Sequence, residues 1–182
     1  MLKPHRTTLS AIAILATAAS LGGCATVGSH DTTNAKPVAR ALLHDAQGRE
    51  AGSVTLTVEN GMVHGVVDVN GISPGSHGIH LHTTGKCDAP GFTTAGGHLN
   101  PDGKQHGLQN PLGAHQGDLP DVIVGADGTG HGTFIAHTTL PALFDADGAA
   151  LVVHAGPDDN KTDPSGNSGG RILCGVLQQI DG

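Results

Sequence analysis

The chain has 182 residues, with 9 Lys and Arg against 16 Asp and Glu for a net charge of −7, and it carries three Phe but no Tyr or Trp. That charge balance excludes a binder of phosphate backbones, and so few aromatics exclude a stacking platform for single-stranded nucleic acid. The outlying counts are 13 His and 29 Gly, which point to a turn-rich domain with imidazole to spare for chemistry.

The N-terminus reads as an export signal. Lys3 and Arg6 precede an apolar run from Leu9 to Leu21, shorter than the ~20 residues that a membrane-spanning helix needs. Leu21-Gly22-Gly23-Cys24 resembles the bacterial lipobox, in which the cysteine is acylated and becomes the new N-terminus. Ordinary cleavage nearby, leaving Cys24 unmodified, is the alternative. Residues 1–23 are expected to be a signal peptide, 24–37 a lipid-anchored flexible tether, and 38–182 one folded domain. Loss of Lys3 and Arg6 makes the mature chain more acidic still. With Cys24 acylated, Cys87 and Cys174 remain as an even pair in an oxidising compartment and are expected to be bridged. Closing a loop of that length is worth about 4–5 kcal/mol on chain-entropy grounds; two buried free thiols are the alternative.

From there the chain reads as strands, with no convincing helix. Val38 to His44 is a short apolar run ended by Asp45-Ala46-Gln47-Gly48. Ser53 to Glu59 alternates strictly, Asn60-Gly61 signals a two-residue hairpin, and Met62 to Val69 is the return strand. Ile79 to Thr83 is a further strand. Asp121 to Val124 and Gly132 to Ala136 flank Asp127-Gly128, Ala149 to His154 follows Asp147-Gly148, and Arg171 to Ile180 closes the chain. Eight short strands with regular turn chemistry imply an all-β sandwich or barrel. Two segments break the pattern, Thr84 to Pro120 and Ala155 to Gly170. Loops this long inside a compact domain are usually functional or disordered.

His80 and His82 flank Leu81. In a strand that spacing puts both rings on one face, about 6.6 Å apart along the chain, with Leu81 turned to the core. A solvated pair of polar residues would show the same pattern, so the motif alone is weak. The first long loop adds His98, His106, His115 and Asp118, three imidazoles and a carboxylate within reach of a tetrahedral zinc ion. His154 ends an apolar strand (Leu151-Val152-Val153-His154).

The segments GIHLHTTGKCDAPGFTTAGGHLNP, GAHQGDLP, LVVHAGPDD and SGGRILCGV, in this order and spacing, resemble the copper/zinc superoxide dismutases of the exported bacterial kind. The resemblance covers nearly all of the folded part. It implies an eight-stranded antiparallel Greek-key β-sandwich or barrel with two long functional loops. It implies an oxidoreductase that dismutates superoxide to O₂ and H₂O₂ at a copper ion alternating between oxidation states. His80, His82, His98 and His154 would hold copper; His98, His106, His115 and Asp118 would hold zinc, with His98 shared as a bridging imidazolate. Arg171 would attract the anion, His98 would relay a proton, Asp158 would tie the two ligand sets together, and Cys87–Cys174 matches the family disulfide. A periplasmic, membrane-anchored lipoprotein, monomeric or homodimeric, guarding the envelope from oxidative damage is the corresponding setting, with no nucleic-acid partner. An acidic protein would repel superoxide unless its local field differs from its total charge. Arg171 and the metals are the expected attractors, with Lys104 or Lys161 as outer contributors. Thr83 stands where the family often has Glu, and Leu99 where an aromatic is frequent; neither would touch a metal. The remaining histidines, His77 among them, are expected on strand faces or near turns. A copper-storage lipoprotein or a zinc-stapled structural sandwich are the competing readings, and neither accounts for both the full ligand set and Arg171.

Overall fold

The structure, a computed structural model, describes residues 35–180. The expected signal peptide, Cys24, His5, His30 and most of the tether lie outside the described residues.

Ten strands form one antiparallel sheet: β1 (Pro37–His44), β2 (Glu50–Glu59), β3 (Met62–Val69), β4 (Gly75–His77), β5 (Ile79–His82), β6 (Val122–Val124), β7 (Gly130–Ala136), β8 (Ala150–His154), β9 (Arg171–Val176) and β10 (Gln178–Gln179). The spatial order is β4-β6-β7-β3-β2-β1-β9-β8-β5, with β10 beside β1. Hairpins join β1–β2–β3, while β3–β7 and β1–β9 are long-range pairings. The two ends of this order, β4 and β5, are separated in sequence by Gly78 alone. Gly78 continues the pairing, donating its N–H to Gly156 O at 2.9 Å and accepting from His154 N at 2.8 Å. The barrel is nearly closed because one stretch of chain changes partners at Gly78, which leaves little open edge.

The expected eight strands become ten for local reasons. Gly75–His77 is too short for an alternating pattern to reveal, and the closing run divides at Leu177, after which Gln178 and Gln179 pair with Arg40 and Ala39. A single helical turn, α1 (Leu140–Leu143), is also present, with the Thr139 side chain accepting from Ala142 N. One turn is too short to carry a helical period.

Alternation works as the strands suggest. Val54 and Leu56 of β2, Val63, Val67 and Val69 of β3, and Leu81 of β5 point into one continuous core. Gly65 is required there: a Cβ at this position would meet the Phe134 ring at 2.1 Å. Leu99, in the place of the family's aromatic, joins the same core. Both long loops keep to irregular backbone, broken only by a 3-10 turn at Thr93–Ala95. The first is sewn to β5 by isolated bridges, His80 to Asp118 and His82 to His98.

Candidate metal centre

His80 and His82 project from β5 on the face opposite Leu81, and both are fully buried. They lie in the barrel wall beneath the two long loops, so the alternative of a solvated strand face is excluded. His154 ends the neighbouring β8, and His98 arrives from the first loop through its bridge to His82. Each ring has one nitrogen committed. His80 Nε2 donates to Asp158 Oδ2 at 2.6 Å, His82 Nδ1 to Gly96 O at 3.0 Å, and His154 Nδ1 to Gly169 O at 3.1 Å. Those bonds set the tautomers and leave lone pairs on the opposite nitrogens. Four buried nitrogens consequently have no partner: His80 Nδ1, His82 Nε2, His98 Nε2 and His154 Nε2. The same four residues can each offer one ring nitrogen within 4.8 Å of the others. Buried polar atoms are nearly always satisfied, and four unpartnered lone pairs aimed at a common point fit a cation that prefers imidazole.

The other face of His98 belongs to a second set. Nitrogen Nδ1 of His98, His106 and His115 lies 3.0, 2.9 and 3.2 Å from one oxygen, Oδ1 of Asp118. Four donors bound tetrahedrally to zinc at about 2.0–2.2 Å stand about 3.3 Å apart, so this set fits zinc. Oxygen Oδ2 of Asp118 is occupied separately by the N–H groups of Gly107 and His115 at 2.8 and 2.9 Å, which aims Oδ1 at the rings. A grouping with His80 in place of His115 also closes within 4.8 Å, but His80 has its nitrogens engaged by Asp158 and by the first set. His115 Nδ1, 3.4 Å from His98 Nδ1, is the better fourth donor.

Asp158 joins the two sets. Its Oδ2 accepts from His80 and its Oδ1 from His106 Nε2 at 3.0 Å. Gly166 leaves the room for this: a Cβ there would lie 1.8 Å from Asp158 Oδ1. Electrostatics follow the geometry. Burial pushes the His80, His82 and His154 imidazoles down to about 3, 2 and 4, keeping them neutral. Burial opposes charge on His106 too, but Asp118 and Asp158 on its two nitrogens raise it to about 9. Burial would likewise raise the carboxyls of Asp118 and Asp158; the histidine bonds outweigh it and hold both well below the usual range.

A cavity of about 450 Å³ opens onto His82, His98 and His154, with Arg171, Lys104 and Asp163 in its wall. Lys161 does not line it. Arg171 is held by two carbonyls, Phe92 O at 2.7 Å and Gly96 O at 2.6 Å. Gly96 O therefore anchors both the cation and His82. The loop that supplies these carbonyls is stapled by the Cys87–Cys174 disulfide, three residues along β9 from Arg171. The seven expected ligand residues, Asp158 and Arg171 are thus brought to one place, and of the two lysines Lys104 alone joins them.

One residue was missed. His77 is 2% exposed rather than at the surface, and it faces no donor set. Its Nδ1 lies 2.7 Å from His154 O and its Nε2 2.9 Å from Ser73 O, so it braces the backbone of His154. Its position three residues before the alternating His80-Leu81-His82 motif carries no signal for this, because the partner comes from a distant strand.

A nearly closed antiparallel barrel presenting two donor sets joined through one ring is a dinuclear metalloprotein. The comparisons with known proteins make this specific. The copper/zinc superoxide dismutase (SODC) family profile matches residues 50–177. A copper/zinc superoxide dismutase of Caulobacter vibrioides is 39% identical over 151 residues, 77% of this chain and 85% of the relative. The superoxide dismutase-like protein YojM of Bacillus subtilis is 35% identical over 185 residues, 90% of this chain and 93% of the relative. Among solved structures, a superoxide dismutase-like protein from Bacillus subtilis superposes with TM-score 0.73 at 37% identity, covering 76% of this chain and 97% of that one. The Cu/Zn superoxide dismutase of Brucella abortus gives TM-score 0.61 at 29% identity, covering 76% and 98%. The chain belongs to the copper/zinc superoxide dismutase family. It is an oxidoreductase that dismutates superoxide, and it takes one copper and one zinc.

Proposed function

We propose that His80, His82, His98 and His154 hold the copper and that His98, His106, His115 and Asp118 hold the zinc, with His98 shared between them. The four unpartnered buried nitrogens carry this reading. Copper supplies a one-electron couple and zinc an inert, fixed charge. The chain's own residues do the rest. Arg171, fixed by two carbonyls beside the cavity, draws the superoxide anion toward the rings and orients it. His98, whose ring lines the cavity, would carry at Nε2, whenever that nitrogen is not donating to copper, the proton that passes to the developing peroxide. Asp158 keeps the rings of His80 and His106 in register, so that the geometry of one donor set depends on the other. Local positive charge at Arg171 and Lys104 reconciles an anionic substrate with a chain of net charge −7.

The setting we propose is the periplasm of a bacterium, where residues 1–23 act as signal peptide and Cys24 carries the lipid that anchors residues 38–182 through a short tether. In that place the enzyme protects the envelope from oxidative damage. Its lipid anchor is tested by detergent partitioning of the wild type against Cys24→Ser, which should become water-soluble. Elemental analysis with a superoxide-decay assay tests the metal reading. Near one copper and one zinc per chain should accompany decay, and zinc alone should restore nothing to stripped protein. Full metal loading without superoxide decay would instead make the protein a copper store.

A further inference from the structure

Asp163 sits where an anion channel has no electrostatic use for a carboxylate. It lines the cavity with Arg171 and Lys104, and its side chain is 50% exposed. A negative charge there works against the approach of superoxide. What it gains is a bond across the two long loops: Asp163 Oδ1 accepts the backbone N–H of His106 at 2.7 Å. The same oxygen lies 3.9 Å from His115 Nε2, the outer nitrogen of that ring, whose Nδ1 faces Asp118. Nearby contacts run between the same loops, from Gln109 N to Asn160 O at 3.0 Å and from Asn110 Nδ2 to Lys161 O at 3.2 Å. Those contacts leave the N–H of His106 free for Asp163, while its carbonyl accepts from Asn110 Nδ2 at 2.9 Å within the first loop.

We propose that Asp163 is a positioning residue for the zinc half of the centre. It latches the loop of residues 155–170 onto the backbone of His106, at the cost of slower capture of the substrate anion. This rests on the zinc assignment above. Groups that hydrogen-bond to metal-ligand residues are commonly worth ten- to a hundredfold in metal affinity, and a neutral amide oxygen can still accept the His106 N–H, though more weakly than a carboxylate.

The test uses the full-length protein loaded with copper and zinc. Zinc release is measured against graded chelator, and superoxide decay against ionic strength, for the parent, Asp163→Ala and Asp163→Asn. Asp163→Ala should give up zinc about tenfold more readily or worse, while Asp163→Asn should hold zinc near the parent level. Both variants should react faster than the parent at low salt, with the difference shrinking as salt screens the removed charge. Rescue by Asn separates the latch from a general loss of structure. Unchanged zinc release in Asp163→Ala, or equal loss in both variants, overturns the inference. A parent that holds no zinc overturns the underlying assignment, and the inference with it.

Discussion

His98 is the side chain on which the whole centre turns, because its two nitrogens face different donor sets. Replacing it with alanine removes a donor from each set at once. His98→Ala should therefore lower both copper and zinc content, measured by elemental analysis, whereas loss of His82 should lower copper alone. His77 teaches a different lesson. It faces no donor set, yet its ring lies within hydrogen-bond distance of two backbone carbonyls, those of His154 and Ser73. An unsatisfied buried acceptor costs about 1–3 kcal/mol, so His77→Ala should reduce stability to chemical denaturation by about that amount, with metal stoichiometry close to the parent's. The spacing of His80 and His82 was legible because a strand has a fixed period of two. The burden on His77 was not, because nothing local distinguishes a histidine that braces a carbonyl from one that lies in water.

Strands and loops divide the work of building the site. β5 and β8 supply three rings from strand positions, His154 at a register shift that ends β8, whereas the loops bring His98, His106, His115, Asp118 and Asp158 by irregular paths. Such paths need side chains of particular size. Gly166, at φ 62° in the second loop, has Asp158 Oδ1 and His106 Nε2 packed where a methyl group would go. Gly166→Ala must displace the Asp158 carboxylate as well as strain the backbone. Loss of zinc affinity by roughly ten- to a hundredfold is the expected result, read by chelator competition; zinc retention equal to the parent's would show that Asp158 does not tie the sets together. The eight expected strands were legible from alternation and from turn pairs such as Asn60-Gly61. Strand β4 and helix α1 were not, since three or four residues are too few to show a period.

The molecule as a whole couples burial, charge and metal. In the metal-free protein, His80, His82 and His154 are buried neutral, with values pushed down to about 3, 2 and 4. Below the ordinary histidine value near 6.5 the unfolded chain takes up protons that the folded one refuses, so stability falls as pH drops from there toward 3. His106 acts with the opposite sign. Its value raised to about 9 contributes stability that is complete below 6.5 and is lost as pH climbs through 9. Thermal unfolding of the stripped protein should therefore peak near neutrality and decline on both sides. In the metal-loaded protein the fall above neutrality should vanish, because His106 then gives its Nδ1 to zinc rather than to a proton.

What the amino-acid sequence determined by itself is whatever depends on neighbours along the chain. The alternation of Val54 and Leu56, the hairpin at Asn60-Gly61 and the shared face of His80 and His82 are dictated within a few residues by strand geometry, whereas Val58, next in the same alternation, ends up exposed near the end of its strand. The family resemblance then supplied roles for the ligands that spacing could not. The tertiary structure alone decided which nitrogen of each ring is free, where Asp158 divides its two oxygens, and why Arg171 points into the cavity. Those outcomes rest on bonds between residues 14 to 79 positions apart, and no local rule spans such distances. Only closure of the barrel at Gly78, with both loops folded back over β5 and β8, brings those partners within a hydrogen bond's reach.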